Sequence, residues 1–148
     1  MTMVFSSPYA EGYVKGKYSG RIYNPEQSGG PILDLDWRTA VITNAGVIAV
    51  KLRVARFNQS DANDVMIQRL ERIWNGDLNH TDTDLRYYTH ELRELERYRN
   101  FGYSDTTSPS DESPIWNNAH TATLEDYKLG SELTLLYNEE AINAMNTQ

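Results

Sequence analysis

The sequence predicts a single, small, mainly α-helical domain (α, or α+β) over residues 1–148. It would hold four to five helices, with an irregular or hairpin N-terminal segment over 1–36 and a helical body over 37–148. Three observations predict it. Apolar residues recur at three- and four-residue spacing in three segments. Ser, Thr or Asp stands before the first two of them, where a helix cap belongs. Those same two run into a glycine, which ends a helix readily. A chain of 148 residues is the size of one domain and buries roughly two-thirds of its unfolded surface.

The elements follow in order. Tyr13 to Tyr23 mixes aromatic and basic side chains with Gly16 and Gly20, as short strands with turns do. Gln27-Ser28-Gly29-Gly30-Pro31 reads as a loop. Asp36 or Thr39 is a candidate cap for a helix entering Val41–Val54. The β-branched content of that run favours a strand, credible over 47–55, while its length favours a helix. Short connections to the helical segments that follow tip the choice to helix. Ser60 or Asp61 caps the next helix, which runs to about Asn75 on a Met66, Leu70, Ile73 stripe and stops at Gly76. Thr81 or Thr83 caps a third, running to Asn100 and ending at Gly102. Its Asp82 and Asp84 sit in the first turn, where the macrodipole favours negative charge. Residues 103–114 read as a polar loop with Pro109 and Pro114, followed by a fourth helix over 115–128. A fifth over 135–145 has Asn138 as its cap. Leu70, Ile73, Leu85, Tyr88, Leu92, Leu95, Trp116 and Leu124 are the expected core.

Composition narrows the chemistry. There is no cysteine, so disulfides, thiolate–zinc sites and cysteine nucleophiles are excluded. No apolar run approaches the roughly 18 residues that span a bilayer, so stable membrane association is not expected. The first residues lack the charged and apolar regions of a secretory signal. The net charge of −7 is uneven, with seven basic and four acidic residues over 1–60 and seven and seventeen over 61–148. A nucleic-acid binder would therefore need a local basic patch. The candidates are Lys15, Lys17 and Arg21; Lys51, Arg53 and Arg56; and Arg86, Arg93, Arg97 and Arg99. No P-loop, dinucleotide fingerprint, EF-hand or serine elbow is present.

Two of the three histidines lie between Thr81 and Tyr127. His90-Glu91-Leu92-Arg93-Glu94 falls in the third helix, where Leu85, Tyr88, Leu92 and Leu95 form the core stripe. Helical phase places His90 and Glu94 four residues apart on one face, and Glu91 half-buried at the edge of the stripe. Desolvation there would raise the Glu91 pKa towards the range of a general acid or base. In the fourth helix Trp116, His120, Leu124 and Tyr127 share a stripe, which turns His120 inward. If the helices pack, His120 meets Glu91 or Glu94. The bland alternative is an exposed His90–Glu94 pair among Arg86, Arg93 and Arg97, and a hydrogen-bonded core His120. His80, in a loop or cap, reads as surface.

The block Thr83-Asp84-Leu85-Arg86-Tyr87-Tyr88-Thr89-His90-Glu91-Leu92-Arg93-Glu94, with the later Asn118-Ala119-His120-Thr121-Ala122-Thr123-Leu124, resembles the C-terminal effector domains of bacterial polymorphic toxins of the contact-dependent-inhibition and Rhs type. The resemblance covers roughly residues 81–128. It implies a toxin released as part of a larger secreted bacterial protein and acting in the cytoplasm of a target cell, most often as a nuclease, with a cognate immunity protein. It maps function onto His90, Glu91, Glu94 and His120. The acidic balance departs from the many nuclease tips that are basic.

Three functions follow as expectations. The first is a ribonuclease-type hydrolase with no cofactor or only a weak need for metal, with His90 and His120 as the acid–base pair, Glu91 tuning or orienting one histidine, Glu94 in the same cluster, and Arg86, Arg93 or Arg53 for phosphate. The second is a metal-dependent hydrolase or peptidase holding a divalent ion such as zinc on His90, Glu94 and His120. The third is a non-enzymatic acidic immunity or inhibitor protein, whose acidic face blocks a nucleic-acid site.

Overall fold

The computed structural model describes residues 10–56, 60–107 and 112–146. It is mainly helical, with five helices and one two-stranded hairpin. Strands β1 (Val14–Lys15) and β2 (Ile22–Tyr23) pair antiparallel, Val14 opposite Tyr23. The helices are α1 (Asn44–Val54), α2 (Asp61–Trp74), α3 (Asp82–Asn100), α4 (Glu112–Asp126) and α5 (Glu139–Asn146). Helix α3 is central and touches α1, α2 and α4.

The caps act where the sequence offers them. Ser60 Oγ accepts from the Asn63 amide at the head of α2. Thr81 and Asp84 form a reciprocal capping box on α3. Gly76 and Gly102 end α2 and α3 with left-handed backbones. Asn138 caps α5 through the Ala141 amide. The ambiguous 41–55 run is a helix, capped by Thr43 and not by Asp36 or Thr39. Asp36 instead caps a separate 3-10 turn over Trp37–Thr39. Helix α1 accepts its β-branched residues because Val47 and Val50 pack on α3, and Gly46 lets the Tyr88 ring approach closely enough that a Cβ would overlap its hydroxyl.

Three boundaries differ from expectation. Helix α4 begins before Pro114, because a proline in the first turn lacks only an amide that has no helical acceptor. It ends two residues early, since Lys128 adopts a left-handed φ of 57° without a glycine to flag it. Residues 133–135 form their own 3-10 turn, so α5 is shorter than the expected 135–145 helix. The expected 103–114 loop includes residues 108–111, which lie outside the described residues.

The core has two parts. One joins Val47, Val50, Met66, Leu70, Tyr87 and Tyr88, and the other Trp37, Leu85, Leu124, Leu129 and Leu136. Leu95 is also buried. Ile73 and Leu92 are only half-buried at the edge of the first part. Trp116 is half-buried at the cavity described below. His80 is exposed.

Polar contacts tie the N-terminal segment to this body. Asp126 Oδ2 accepts from Arg93 Nε at 2.9 Å and from Arg97 at 2.6 Å, while its Oδ1 accepts the Leu33 amide. Arg97 also donates to the Ser28 and Gly30 carbonyls. Gly29, with φ of 73°, lies so close to the Arg97 carbonyl that a Cβ would overlap it. Glu125 accepts the Tyr18 and Ser19 amides of the hairpin turn. Helix α4 is therefore buried on nearly every face, its polar side covered by the hairpin.

Leu70 is fully buried and Leu92 is not. Leu70→Ala is expected to cost about 2–5 kcal/mol in chemical denaturation, and Leu92→Ala clearly less. Equal losses would contradict this packing.

Candidate functional site

Helical phase on α3 stacks His90 and Glu94 one turn apart and turns them towards α1 and α4. Arg53 arrives from the last turn of α1, and His120 from the middle of α4. Glu94 joins them. Its Oε1 accepts from Arg53 at 2.8 Å. Its Oε2 lies 2.7 Å from His90 Nε2 and 3.0 Å from His120 Nδ1. The two imidazole nitrogens are 3.0 Å apart. Trp116, one turn before His120, stacks on its ring at 4.4 Å and 14°. The structure thus brings His90, Glu94 and His120 into direct contact, with Glu91 on the next position of the same helix.

The cluster forms part of the wall of a cavity of about 380 Å³. Glu91, Glu94, Trp116 and His120 line it, with Arg21 from the hairpin side and Asn63 from α2. Glu91 is more buried than its helical phase predicts, at 8% exposure. Its carboxyl makes no hydrogen bond to any described residue.

The electrostatics separate the four groups. Burial alone would raise the Glu94 pKa, but the charges of His90 and Arg53 and the imidazole hydrogen bonds hold it well below the usual carboxylate range. Burial opposes a charge on His90, yet the charge and hydrogen bond of Glu94 outweigh it and raise that pKa. Burial lowers the His120 pKa, aided by the His90 charge and opposed by the Glu94 hydrogen bond. Burial, and then the Glu94 charge, push Glu91 up to about 7, against Arg53 and His90.

An ionised Glu94 favours one assignment of the imidazole protons. An ionised Glu94 can only accept, so both imidazoles donate to its Oε2. His120 then carries its proton on Nδ1 and keeps a bare lone pair on Nε2. That nitrogen bonds no described residue, and the ring faces the cavity.

Arg53, Arg86 and Arg93, the arginines assigned to phosphate in the ribonuclease reading, do not line this cavity. Arg53 is fully buried behind Glu94, where the carboxylate needs its charge. Arg93 is taken up by Asp126 and the Pro31 carbonyl. Arg86 donates to the Leu135 carbonyl and Thr83, over the Trp37 ring. The cation at the cavity is Arg21, held by Thr121 at 3.0 Å and Asn117 at 2.8 Å and set over Trp116. Its membership of the Lys15–Arg21 basic run was its only sequence signal. Asn63 carried none.

The donor atoms of His90, Glu94 and His120 also have the composition and mutual spacing of a divalent-metal site. Their surroundings fit less well. A ligating imidazole normally donates its other nitrogen to an acceptor, and His90 Nδ1 has no partner among the described residues. Arg53 places a second cation on the same carboxylate. Among the described residues no helix is long and apolar enough to cross a membrane. No family model matches the chain, and no curated protein or solved structure does so.

Glu91 yields a stability prediction with a definite sign. Its folded pKa is raised from 4.5 to about 7, so through that interval the unfolded chain releases a proton that the folded state retains, and stability falls as pH rises. Above pH 7, Glu91→Gln is expected to stabilise the protein by roughly 3 kcal/mol, the worth of that shift, and to gain nothing below pH 4. Denaturation at pH 4 and pH 8 measures it; a variant no more stable than wild type at pH 8 would place the carboxyl in water.

Proposed function

We propose that the chain is a hydrolytic effector of the bacterial polymorphic-toxin kind, a ribonuclease-type enzyme working by His/Glu acid–base catalysis. One observation carries this reading: His120 is held by Glu94 through Nδ1, its Nε2 bonds no described residue, and it lines the same cavity as Glu91. Near neutral pH this pairs an imidazole whose pKa is lowered with a carboxyl whose pKa near 7 leaves a large share of it protonated, the opposite poising that acid–base chemistry requires. The two blocks that resemble toxin tips contribute His90, Glu91, Glu94 and His120. Burying this cluster has a cost that a non-enzymatic acidic inhibitor has no reason to carry.

Cleavage of RNA gives each group a task. His120 Nε2 takes the proton from a ribose 2′-hydroxyl, whose oxygen attacks phosphorus. Glu91 gives its proton to the departing 5′-oxygen. Arg21 balances charge on the phosphoryl oxygens. The products are a 2′,3′-cyclic phosphate and a 5′-hydroxyl. Glu94 is a positioning residue that fixes the His120 tautomer, and His90 and Arg53 keep it ionised. A cognate immunity protein is the partner this reading implies, and the cytoplasm of a target cell the place of action.

The mutual 2.7–3.0 Å spacing of the three donors favours one second reading, a metal-dependent hydrolase with His90, Glu94 and His120 as ligands and Glu91 as base.

Purified protein is expected to cleave total RNA in the presence of a chelator, leaving cyclic phosphate ends. His120→Ala and Glu91→Gln should each lower the rate about 10²- to 10⁴-fold with the fold intact. The pH profile of kcat/KM should be a bell, rising through a His120 pKa below 6.5 and falling as Glu91 ionises near 7. Loss of activity in chelator, restored by zinc or manganese, selects the metal reading instead. No cleavage with or without metal rejects RNA as substrate.

A further inference from the structure

The α2 wall of the cavity holds a group that the acid–base chemistry does not use. Asn63 sits in the first turn of α2, its backbone amide fixed by the Ser60 cap. Its side-chain Oδ1 accepts from two phenols, Tyr87 at 3.0 Å and Tyr137 at 3.1 Å. Tyr87 is fully buried, and burial raises the pKa of both phenols, so each keeps its proton. No other described acceptor serves either hydroxyl. Turning the amide over would leave both hydroxyl protons without partners. The orientation is therefore decided: Oδ1 is saturated by two donors, and Nδ2 carries two protons that bond no described residue. Asn63 and Tyr137 line the same cavity as Glu91 and His120. Val54, Leu133 and Leu136 add apolar surface to it.

A rigid amide donor beside apolar walls has the chemistry that recognises a planar heterocycle bearing a carbonyl or ring-nitrogen acceptor. Such sites leave a donor unpaired when the wrong ligand enters, which makes them discriminating. We propose that this wall is a nucleobase subsite, in which Asn63 Nδ2 donates to an acceptor on the base next to the cleaved phosphate, so that Asn63 sets the nucleotide preference. The proposal rests on the ribonuclease reading. Tyr87 and Tyr137 are positioning residues that hold the amide in register.

The test uses the full chain and a set of fluorescent oligoribonucleotides that together contain every dinucleotide step. Asn63→Asp is isosteric. It keeps an oxygen for the two phenols and replaces the donor facing the cavity with an acceptor. Wild type is expected to prefer steps with one kind of base. Asn63→Asp should raise KM for those steps about tenfold or more and flatten or invert the preference, with kcat changed less. Tyr137→Phe removes one of the two donors that hold the amide and should shift KM and preference the same way by a smaller factor. It reads the subsite even if Asn63→Asp melts early. If wild type cleaves RNA and both variants keep its step preference and KM, the subsite is overturned while the ribonuclease reading stands. If wild type cleaves no RNA at all, that reading fails and the subsite with it.

Discussion

One carboxylate holds this structure to its site. Glu94 is almost wholly buried, and an isolated charge in that position would be prohibitively costly. It is tolerated because three helices converge on it: Arg53 from α1, His90 from its own helix and His120 from α4. The Arg53–Glu94 pair balances charge out of water, and removing one partner of such a pair typically costs about 3–5 kcal/mol. The same contacts orient His120. The packing of α1 and α4 against α3 and the tautomer of the open imidazole are set by one group.

A second buried carboxylate does similar work where the end of α4 meets α3. Asp126 accepts from Arg93 and Arg97, and those arginines reach the carbonyls of residues 28–31. The N-terminal segment has little apolar surface to offer, since Val14, Tyr18, Ile22, Ile32 and Leu33 remain exposed. It is fastened by polar groups instead, with Glu125 and Asn118 of α4 receiving its backbone amides. This fastening brings Arg21 to the cavity. A segment that packed only by apolar contact would have no means of fixing a guanidinium beside Trp116 with such specificity.

The sequence made α2 and α3 legible because capping and periodicity are local. Ser60, Thr81, Gly76 and Gly102 act within a few residues of where they stand. The meeting of His90, Glu94 and His120 was also legible, because helical phase alone turns His120 inward and pairs His90 with Glu94. Three things were not. The arginines of α3 look like phosphate binders in sequence, but Arg93 belongs to Asp126, thirty-three residues away. Arg21 reaches the site through Thr121 and Asn117, about a hundred residues away. Asn63 is an ordinary first-turn residue until Tyr87 and Tyr137 close on it from separate elements. Each depends on long-range pairing of polar groups, which no local pattern records.

The two glutamates of α3 divide their work by what surrounds them. Glu94 receives Arg53 and two imidazoles, so it stays ionised and serves as anchor. Glu91, three residues before it, receives no hydrogen bond from a described residue, and burial, then its neighbour's charge, press it towards the neutral form. A carboxyl whose pKa is raised in this way is a cost to folding at neutral pH, and a substitution that removed it would make a more stable protein. Strain of this kind gathers where chemistry needs a group that water would otherwise level. Glu94 cannot separate function from fold, because its loss disturbs both. Glu91 can, since it contributes nothing to the packing that Gln would not also contribute. The pairing of an anchor that must be charged with a neighbour that must not be is the physical reason to place the acid–base step at Glu91 and His120 rather than at the better-connected His90 and Glu94.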